Sequence, residues 1–285
     1  MIPPFVDRNW LETRSWGDRN LALADARWYI DGRSGRQAYE SGHIPGAVFI
    51  DLERWLAGDP RSGHGRHPLP EPAVFAEGMS EAGIDDGSVV VAYDDQGGVI
   101  AARLVWMLRV TGHDAALLDG GLNAYDGHLE QGDGHDAAHS GVFTAKPWPS
   151  ERLATADDAA DPANVVIDAR PPDRYLGQEE PFDPRPGHIP GAWNLPCRSN
   201  LRPDGTLLEV DELLSRFEVA AIEPARSEVL ADGVVSYCGS GITACHNLLV
   251  LEHCGFGEGF GRLYPGSWSE YSTLNDRPAA TSERL

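Results

Sequence analysis

An internal duplication is the feature that most constrains the fold of this 285-residue chain. The first half contains LADAR, SGHIPGAVFIDL, VVVAYDDQGG and LLDGGLNAY, and the second half repeats the series as VIDAR, PGHIPGAWNLP, VVSYCGSG and RLYPGSWSEY. Equivalent residues keep nearly the same separation: Asp25 matches Asp168, His43 matches His188, and Tyr93 matches Tyr237. The repetition predicts two domains of one fold.

Each half alternates short apolar strands with amphipathic helices, which is the pattern of parallel α/β units. One helix is predicted around residues 101–111, with Gly112 as its C-cap, and Gly255 ends the matching helix. We therefore predict an α/β protein of two tandem domains, each a mainly parallel sheet flanked by helices. The expected boundaries are 1–130 and 151–285, and the Gly-, His-, Asp- and Pro-rich stretch 131–150 is interpreted as a linker.

The composition, with 41% apolar and 24% charged residues, is typical of a soluble globular protein. No apolar run approaches the about 20 residues that a membrane helix needs, and the N-terminus lacks the pattern of a secretory signal. A cytoplasmic location is therefore expected. The formal net charge of −21 disfavours nucleic acid and anionic membranes as partners.

The four cysteines, Cys197, Cys238, Cys245 and Cys254, match no common zinc-binding spacing. A disulfide framework is not expected in a cytosolic protein, so most of these residues are predicted to be inert buried thiols. Cys238 is the exception. It lies between the strand-like Val234-Val235 and a Gly-Ser-Gly turn that leads into a helix, where backbone N–H groups and the helix dipole favour the reactive thiolate.

The duplication also serves as an internal control, because a feature found in both halves is predicted to serve the fold. By this criterion the H-I-P-G-A motifs at His43 and His188 hold turns, and the two Asp-Ala-Arg segments form buried, hydrogen-bonded connections. Three positions differ in chemistry between the halves: Cys238 replaces Asp94, Arg174 replaces Asp31, and Arg185 replaces Glu40. Either these are diverged surface positions, or the second half binds an anion beside a thiolate and the first half does not.

The duplicated H-I-P-G-A unit, with one cysteine in the strand-to-helix loop of its second copy, resembles the two-domain rhodanese-type sulfurtransferases over nearly the whole chain. The loop from Cys238 to Thr243, followed by Ala-Cys-His, is similar to the loop of the members that use 3-mercaptopyruvate. Members that favour thiosulfate usually have a charged loop of the Cys-Arg-Lys-Gly type. The resemblance implies transfer of sulfane sulfur through a persulfide on Cys238, with no metal or organic cofactor. The implied partners are a small anionic donor and a thiol, thioredoxin-like or cyanide acceptor.

The resemblance also implies roles for individual residues. Arg174 and Arg185 are expected to hold the carboxylate and carbonyl of the donor, a task for which guanidinium groups are well suited. Ser240 matches the serine of a Ser–His–Asp relay, with His67 as its histidine, His64 as the alternative, and Glu53 in the place of the aspartate. The remaining expected contacts with the donor come from four loop residues: Gly239, Gly241, Ile242 and Thr243.

Three other functions are weighed against transfer from 3-mercaptopyruvate. The first is the same chemistry with thiosulfate as donor. The second is a cysteine phosphatase, which is disfavoured because its Cys-x5-Arg pattern would require arginine at Ala244. The third is a non-catalytic sulfur-carrier or binding module in which Cys238 is only a buried thiol.

Overall fold

The computed structural model describes residues 1–14, 20–134, 140–224, 230 and 233–282. They form two compact α/β units that alternate along the chain. The first unit consists of Met1–Gly58, Pro70–Trp148 and Leu201–Leu207, and the second consists of Asp59–Leu69, Pro149–Asn200 and Leu208–Leu285. Two short segments, Asp59–Leu69 and Leu201–Leu207, each belong to the unit that the other half of the chain mainly builds.

The first unit contains a five-stranded parallel sheet with the order β1-β5-β4-β2-β3. Its strands are β1 (Phe5–Val6), β2 (Leu21–Asp25), β3 (Val48–Phe49), β4 (Val89–Tyr93) and β5 (Ala115–Leu118). Its α-helices are α1 (Arg8–Thr13), α2 (Gly35–Ser41), α3 (Pro72–Glu81) and α4 (Ala102–Val110). The apolar run of β4 is buried beside β2, as expected for a central parallel strand.

The second unit contains a four-stranded parallel sheet with the order β7-β6-β8-β9. Its strands are β6 (Val165–Asp168), β7 (Trp193–Asn194), β8 (Val234–Tyr237) and β9 (Arg262–Leu263). Its α-helices are α5 (Ala156–Ala160), α6 (Pro172–Tyr175), α7 (Val210–Glu218), α8 (Ala244–Leu251) and α9 (Ser267–Tyr271). The order matches β3-β2-β4-β5 of the first unit, which confirms the duplication at the level of topology.

Short 3₁₀ and π-helical turns complete the connections. The 3₁₀ turns are Pro60–Ser62, Gly121–Ala124, Ser150–Arg152 and Cys197–Asn200, and the π turns are Leu52–Leu56 and Glu252–Phe256. Gly255 has a φ of 89°, a left-handed conformation that suits glycine and ends the helical path after α8, as predicted.

The motifs shared by both halves have the structural roles that the sequence predicts. Arg27 pairs with Asp25 at 2.7 Å and donates to the carbonyl of Gly42, the residue before His43. In the second unit Arg170 pairs with Asp168 at 2.6 Å and donates to the carbonyl before His188. Both histidines are buried and bond through Nδ1 to a backbone carbonyl, at 2.9 and 2.7 Å. The prediction that these motifs hold turns is confirmed.

Most of the stretch interpreted as a linker packs on the first unit. Phe143 stacks on His113 with ring centroids 4.4 Å apart and contacts Phe75, while Trp148 donates from Nε1 to the carbonyl of Pro70 at 2.8 Å. Phe143 and Trp148 are isolated in a polar sequence, so no hydrophobic periodicity predicts that this stretch packs on the first unit. Residues 135–139 of the interpreted linker lie outside the described residues. No helix among the described residues is both long and apolar enough to cross a membrane.

Candidate active site

Cys238 lies directly after β8 and before α8, so its predicted position between a strand and a helix is confirmed. Its side chain is buried, and the backbone N–H of Gly241 donates to its Sγ at 3.2 Å. This turn requires a left-handed backbone, with a φ of 79°, at Gly241. Ile242 and Thr243 then accept the first backbone bonds of the following helical segment, from Cys245 and His246.

The loop after Cys238 is oriented by the start of α9. The carbonyls of Cys238 and Gly239 accept hydrogen bonds from the backbone N–H groups of Trp268, at 3.0 Å, and Ser269, at 2.8 Å. Because each peptide group is planar and trans, the N–H groups of Gly239 and Ser240 point away from α9. Successive N–H groups directed to one side form a concave site that favours an anion.

Ser240 and His67 are brought together as the sequence analysis expects. His67 Nδ1 lies 2.7 Å from the Oγ of Ser240, whose side chain is buried. His67 belongs to the segment Asp59–Leu69, which is part of the second unit. His64, on the same segment, instead bonds through Nδ1 to Glu270 at 3.0 Å. The geometry therefore selects His67 over His64 as the partner of the loop serine.

Glu53, the expected acid of the relay, lies in the first unit. Its Oε1 accepts a hydrogen bond from Nε1 of Trp28 at 3.1 Å. Its participation in a relay stays a prediction.

Arg174, which the analysis selected for donor binding, lies beside the loop. A Cβ atom on Gly239 would be 3.0 Å from Nη1 of Arg174, so the absence of a side chain at this glycine allows the close approach. Nη2 donates to Glu180 at 2.8 Å and to Asp183 at 2.9 Å. Nε is buried and makes no hydrogen bond within the part of the chain that the structure describes.

Arg185, the second arginine expected to bind the donor, contacts the chain around and after α9. Its guanidinium donates at 2.7 to 3.1 Å to four backbone carbonyls: those of Tyr271, Ser272, Leu274 and Arg277. These bonds occupy all three guanidinium nitrogens and hold the chain after α9. Four of its five N–H groups are thus engaged by backbone that is distant in sequence, and a role of Arg185 in donor binding stays a prediction.

Two further charged residues at the loop were not selected from the sequence. Arg66 pairs through Nη1 with the buried Asp183, and its Nη2 would lie 3.1 Å from a Cβ on Gly239. The loop itself has no cation, but other segments place two guanidinium groups against it. The available signal was the position of Arg66 directly before His67, whereas nothing in the sequence shows that Asp183 bridges Arg66 and Arg174.

The other cysteines have structural environments. Burial raises the pKa of Cys197 to about 12 and that of Cys254 to about 11, so both thiols are protonated at neutral pH. Cys245 donates from Sγ to the carbonyl of Gly241 at 3.4 Å and so supports the turn. Among the described residues, no group of three or more His, Cys, Asp or Glu side chains is arranged to hold a metal ion.

Asp94, the counterpart of Cys238, shows how the first unit uses the equivalent loop. Its fully buried carboxylate accepts hydrogen bonds at 2.7 to 2.9 Å from four backbone N–H groups: those of Gln96, Gly98, Ile100 and Ala101. Burial raises the pKa of this carboxyl, and the four N–H groups act in the opposite direction. A loop of this design therefore holds an anion, and in the first unit the chain supplies that anion itself.

Comparisons with known proteins give a consistent result. The model of the Rhodanese-like domain matches residues 7–128 and 152–274. The chain is 41% identical over 272 residues to a probable 3-mercaptopyruvate sulfurtransferase of Pseudomonas aeruginosa, with 93% of each protein covered. It is 36% identical over 264 residues to a putative thiosulfate sulfurtransferase of Mycobacterium tuberculosis, with 90% of each covered. The structure of 3-mercaptopyruvate sulfurtransferase from Leishmania major is similar with a TM-score of 0.84 at 29% identity, over 97% of this chain and 76% of that one.

Proposed function

The chain belongs to the rhodanese-like family through both of its halves, and we propose that it is a 3-mercaptopyruvate sulfurtransferase that acts through a persulfide on Cys238. Sulfurtransferase activity is common to the named relatives in both sequence and structure. One observation supports the persulfide mechanism and the donor. The sulfur of Cys238 accepts a hydrogen bond from the Gly241 N–H, and Ser240 in the same loop is paired with His67.

In the first step the Cys238 thiolate attacks the sulfur of 3-mercaptopyruvate. A sulfur–sulfur bond forms, the carbon–sulfur bond breaks, and its electron pair passes to the carbon of the pyruvate enolate. The products are the Cys238 persulfide anion and pyruvate. The loop N–H groups stabilise the persulfide in the way an oxyanion hole stabilises developing negative charge.

The same step requires one proton transfer. The proton that leaves the donor thiol must reach the enolate carbon for pyruvate to form. We propose that Ser240 and His67 carry it, which the 2.7 Å between Oγ of Ser240 and Nδ1 of His67 supports. Glu53 remains the proposed acid of this relay.

In the second step an acceptor removes the outer sulfur. A thiol or thioredoxin-like thiolate attacks it, and the Cys238 thiolate leaves, so the enzyme returns to its starting state without a cofactor. A cytoplasmic location is part of this proposal, since that compartment supplies reduced thiols.

Thiosulfate is the second candidate donor, and the pair formed by Arg66 and Arg174 favours it. Attack on thiosulfate releases sulfite, whose charge two adjacent guanidinium groups stabilise better than backbone dipoles alone. One of the relatives is also named for this activity.

The test compares kcat/KM for 3-mercaptopyruvate and thiosulfate on one preparation, with a thiol acceptor in excess. We expect a preference for 3-mercaptopyruvate and formation of one mole of pyruvate per sulfur transferred. Cys238→Ser should lose turnover of both donors, whereas Cys254→Ser, the matched control at an inert thiol, should keep it. Turnover by Cys238→Ser would refute the proposed chemistry, and a preference for thiosulfate would refute the proposed donor.

A further inference from the structure

A compact cluster of charged groups lies beside the loop at Gly239 and is assembled from two distant segments. Arg66 comes from the segment Asp59–Leu69, while Arg174, Glu180 and Asp183 lie on and after α6. Asp183 is at the centre, because its two carboxylate oxygens contact Arg66 and Arg174 separately. The two cations are thereby held side by side, an arrangement that would be repulsive without the bridging acid.

Each of the two guanidinium groups places one terminal nitrogen close to the loop. Nitrogens of Arg174 and Arg66 lie 3.0 and 3.1 Å from the position of a Cβ on Gly239, the residue after the nucleophile. The half-exposed ring of Phe182 lies against the pair, 5.1 Å from Cζ of Arg174 and 5.8 Å from Cζ of Arg66. An anion held at these nitrogens would lie beside Gly239, the residue that follows Cys238, and would be partly shielded from solvent by an aromatic ring.

On this basis we infer that Arg66 is a substrate-binding residue, which together with Arg174 binds the carboxylate of the sulfur donor. The inference rests on the proposed function and identifies the second cation of the donor site. Arg185 directs four of its five N–H groups to backbone carbonyls, so Arg66 has the freer guanidinium of the two. Arg66 is only partly exposed, with 31% of its side-chain surface accessible, and its partner Asp183 is buried at 2%.

The arrangement has a consequence for how the site is assembled. Arg66 and His67 are consecutive, so one short segment delivers both a donor-binding cation and the histidine that pairs with Ser240. The segment is fixed by its backbone, because the N–H of Arg66 donates to Oγ of Ser269 at 3.0 Å and a Cβ on Gly65 would lie 2.6 Å from the carbonyl of Gly266. Because these backbone contacts hold the segment in place, the side chain of Arg66 is not needed to anchor it and can bind the donor.

The experiment measures kcat and KM for 3-mercaptopyruvate with wild type, Arg66→Ala, Arg66→Lys and Arg61→Ala. Arg61 is the matched control: it is on the same segment, pairs with Asp59 and has 88% of its side-chain surface exposed. Loss of a charge-assisted contact predicts an increase in KM of about tenfold or more for Arg66→Ala. We expect kcat to change by less than about threefold, partial rescue by Arg66→Lys, and wild-type constants for Arg61→Ala.

A binding measurement separates this inference from the proposed function. In the Cys238→Ser background, calorimetric titration with 3-mercaptopyruvate should show the same loss of affinity when Arg66→Ala is added. An unchanged KM and Kd would overturn the inference. So would a fall in kcat with KM unchanged, because that pattern means that Arg66 only positions His67. If wild type uses thiosulfate alone, the proposed donor and the carboxylate contact both fail, and the KM for thiosulfate then tests only whether Arg66 binds the anionic group of the donor.

Discussion

Replacement of Asp94 by alanine tests whether the loop of the first unit is an anion site filled by the chain. The substitution removes a carboxylate that accepts four backbone N–H bonds inside the protein. If the interpretation is right, Asp94→Ala destabilises the first unit and leaves the chemistry at Cys238 intact.

The magnitude follows from the number of donors left without an acceptor. A buried N–H group without a partner costs about 1–3 kcal/mol, and we take the lower value because water can enter the space that the carboxylate vacates. Four groups then cost about 4 kcal/mol, and relief from burying a charged group offsets part of this, so a net loss of about 2–3 kcal/mol is expected. With a urea m-value of about 2 kcal/mol/M, the midpoint of the first unit should fall by about 1–1.5 M.

Asp94→Asn tests the same reasoning with a side chain of nearly equal volume. One amide oxygen can still accept two of the four bonds, but the amide NH₂ is directed at the other two N–H groups and cannot accept from them. Asparagine should therefore not restore stability. If packing volume rather than hydrogen bonding were the cause, asparagine would behave like the wild type.

Urea titration with pulsed hydrogen exchange of peptides from β2 and β4 measures the first unit separately. Asp31→Ala is the control, because Asp31 is an exposed acid of the same unit that pairs with the neighbouring Arg33. Its midpoint should not change, and kcat/KM of Asp94→Ala should stay within about twofold of wild type at low urea. An unchanged midpoint for Asp94→Ala, or a stable Asp94→Asn, would refute the reasoning.

Three further predictions concern the second unit. Ser240→Ala should slow turnover of 3-mercaptopyruvate by about 10²- to 10⁴-fold, the usual contribution of general acid–base help, and slow thiosulfate less, because sulfite leaves without a proton; equal slowing of both donors in steady-state assays would contradict this role. Gly239→Ala should raise KM for either donor, since its Cβ would lie 3.0 Å from Arg174, whereas Gly233→Ala, whose Cβ has no neighbour closer than 3.8 Å, should behave as wild type. Burial lowers the pKa of His246 to about 3, so the unfolded state takes up a proton first as the pH falls. Stability contributed by neutral His246 is present above pH of about 6.5 and decreases by about 2 kcal/mol by pH 5; chemical denaturation of His246→Gln should lack this part of the pH dependence, and an equal slope in both proteins would exclude it.

The fold was largely predictable because its determinants repeat. The paired Asp-Ala-Arg and H-I-P-G-A segments each combine a buried ion pair with a turn, and such local constraints leave a signature in consecutive residues. Two copies of that signature allowed the α/β architecture and the structural role of His43 and His188 to be predicted from the sequence. The packing of residues 140–148 on the first unit was not predictable, since Phe143 and Trp148 are isolated apolar residues whose partners are 30 or more residues away in the chain.

At the candidate active site, what the sequence predicts and what only the tertiary structure shows can be distinguished residue by residue. The sequence by itself determined that Cys238 follows a strand and opens a turn, because strand, glycine and helix signals are local and consecutive. It also identified His67 and Ser240 through their resemblance to a relay. Only the tertiary structure decided which arginines face the loop: Arg185 is satisfied by backbone carbonyls, while Arg66 is joined to Arg174 through Asp183. The directions of Arg66 and Arg185 depend on partners 86 to 117 residues distant in the chain, and no local pattern records those partners.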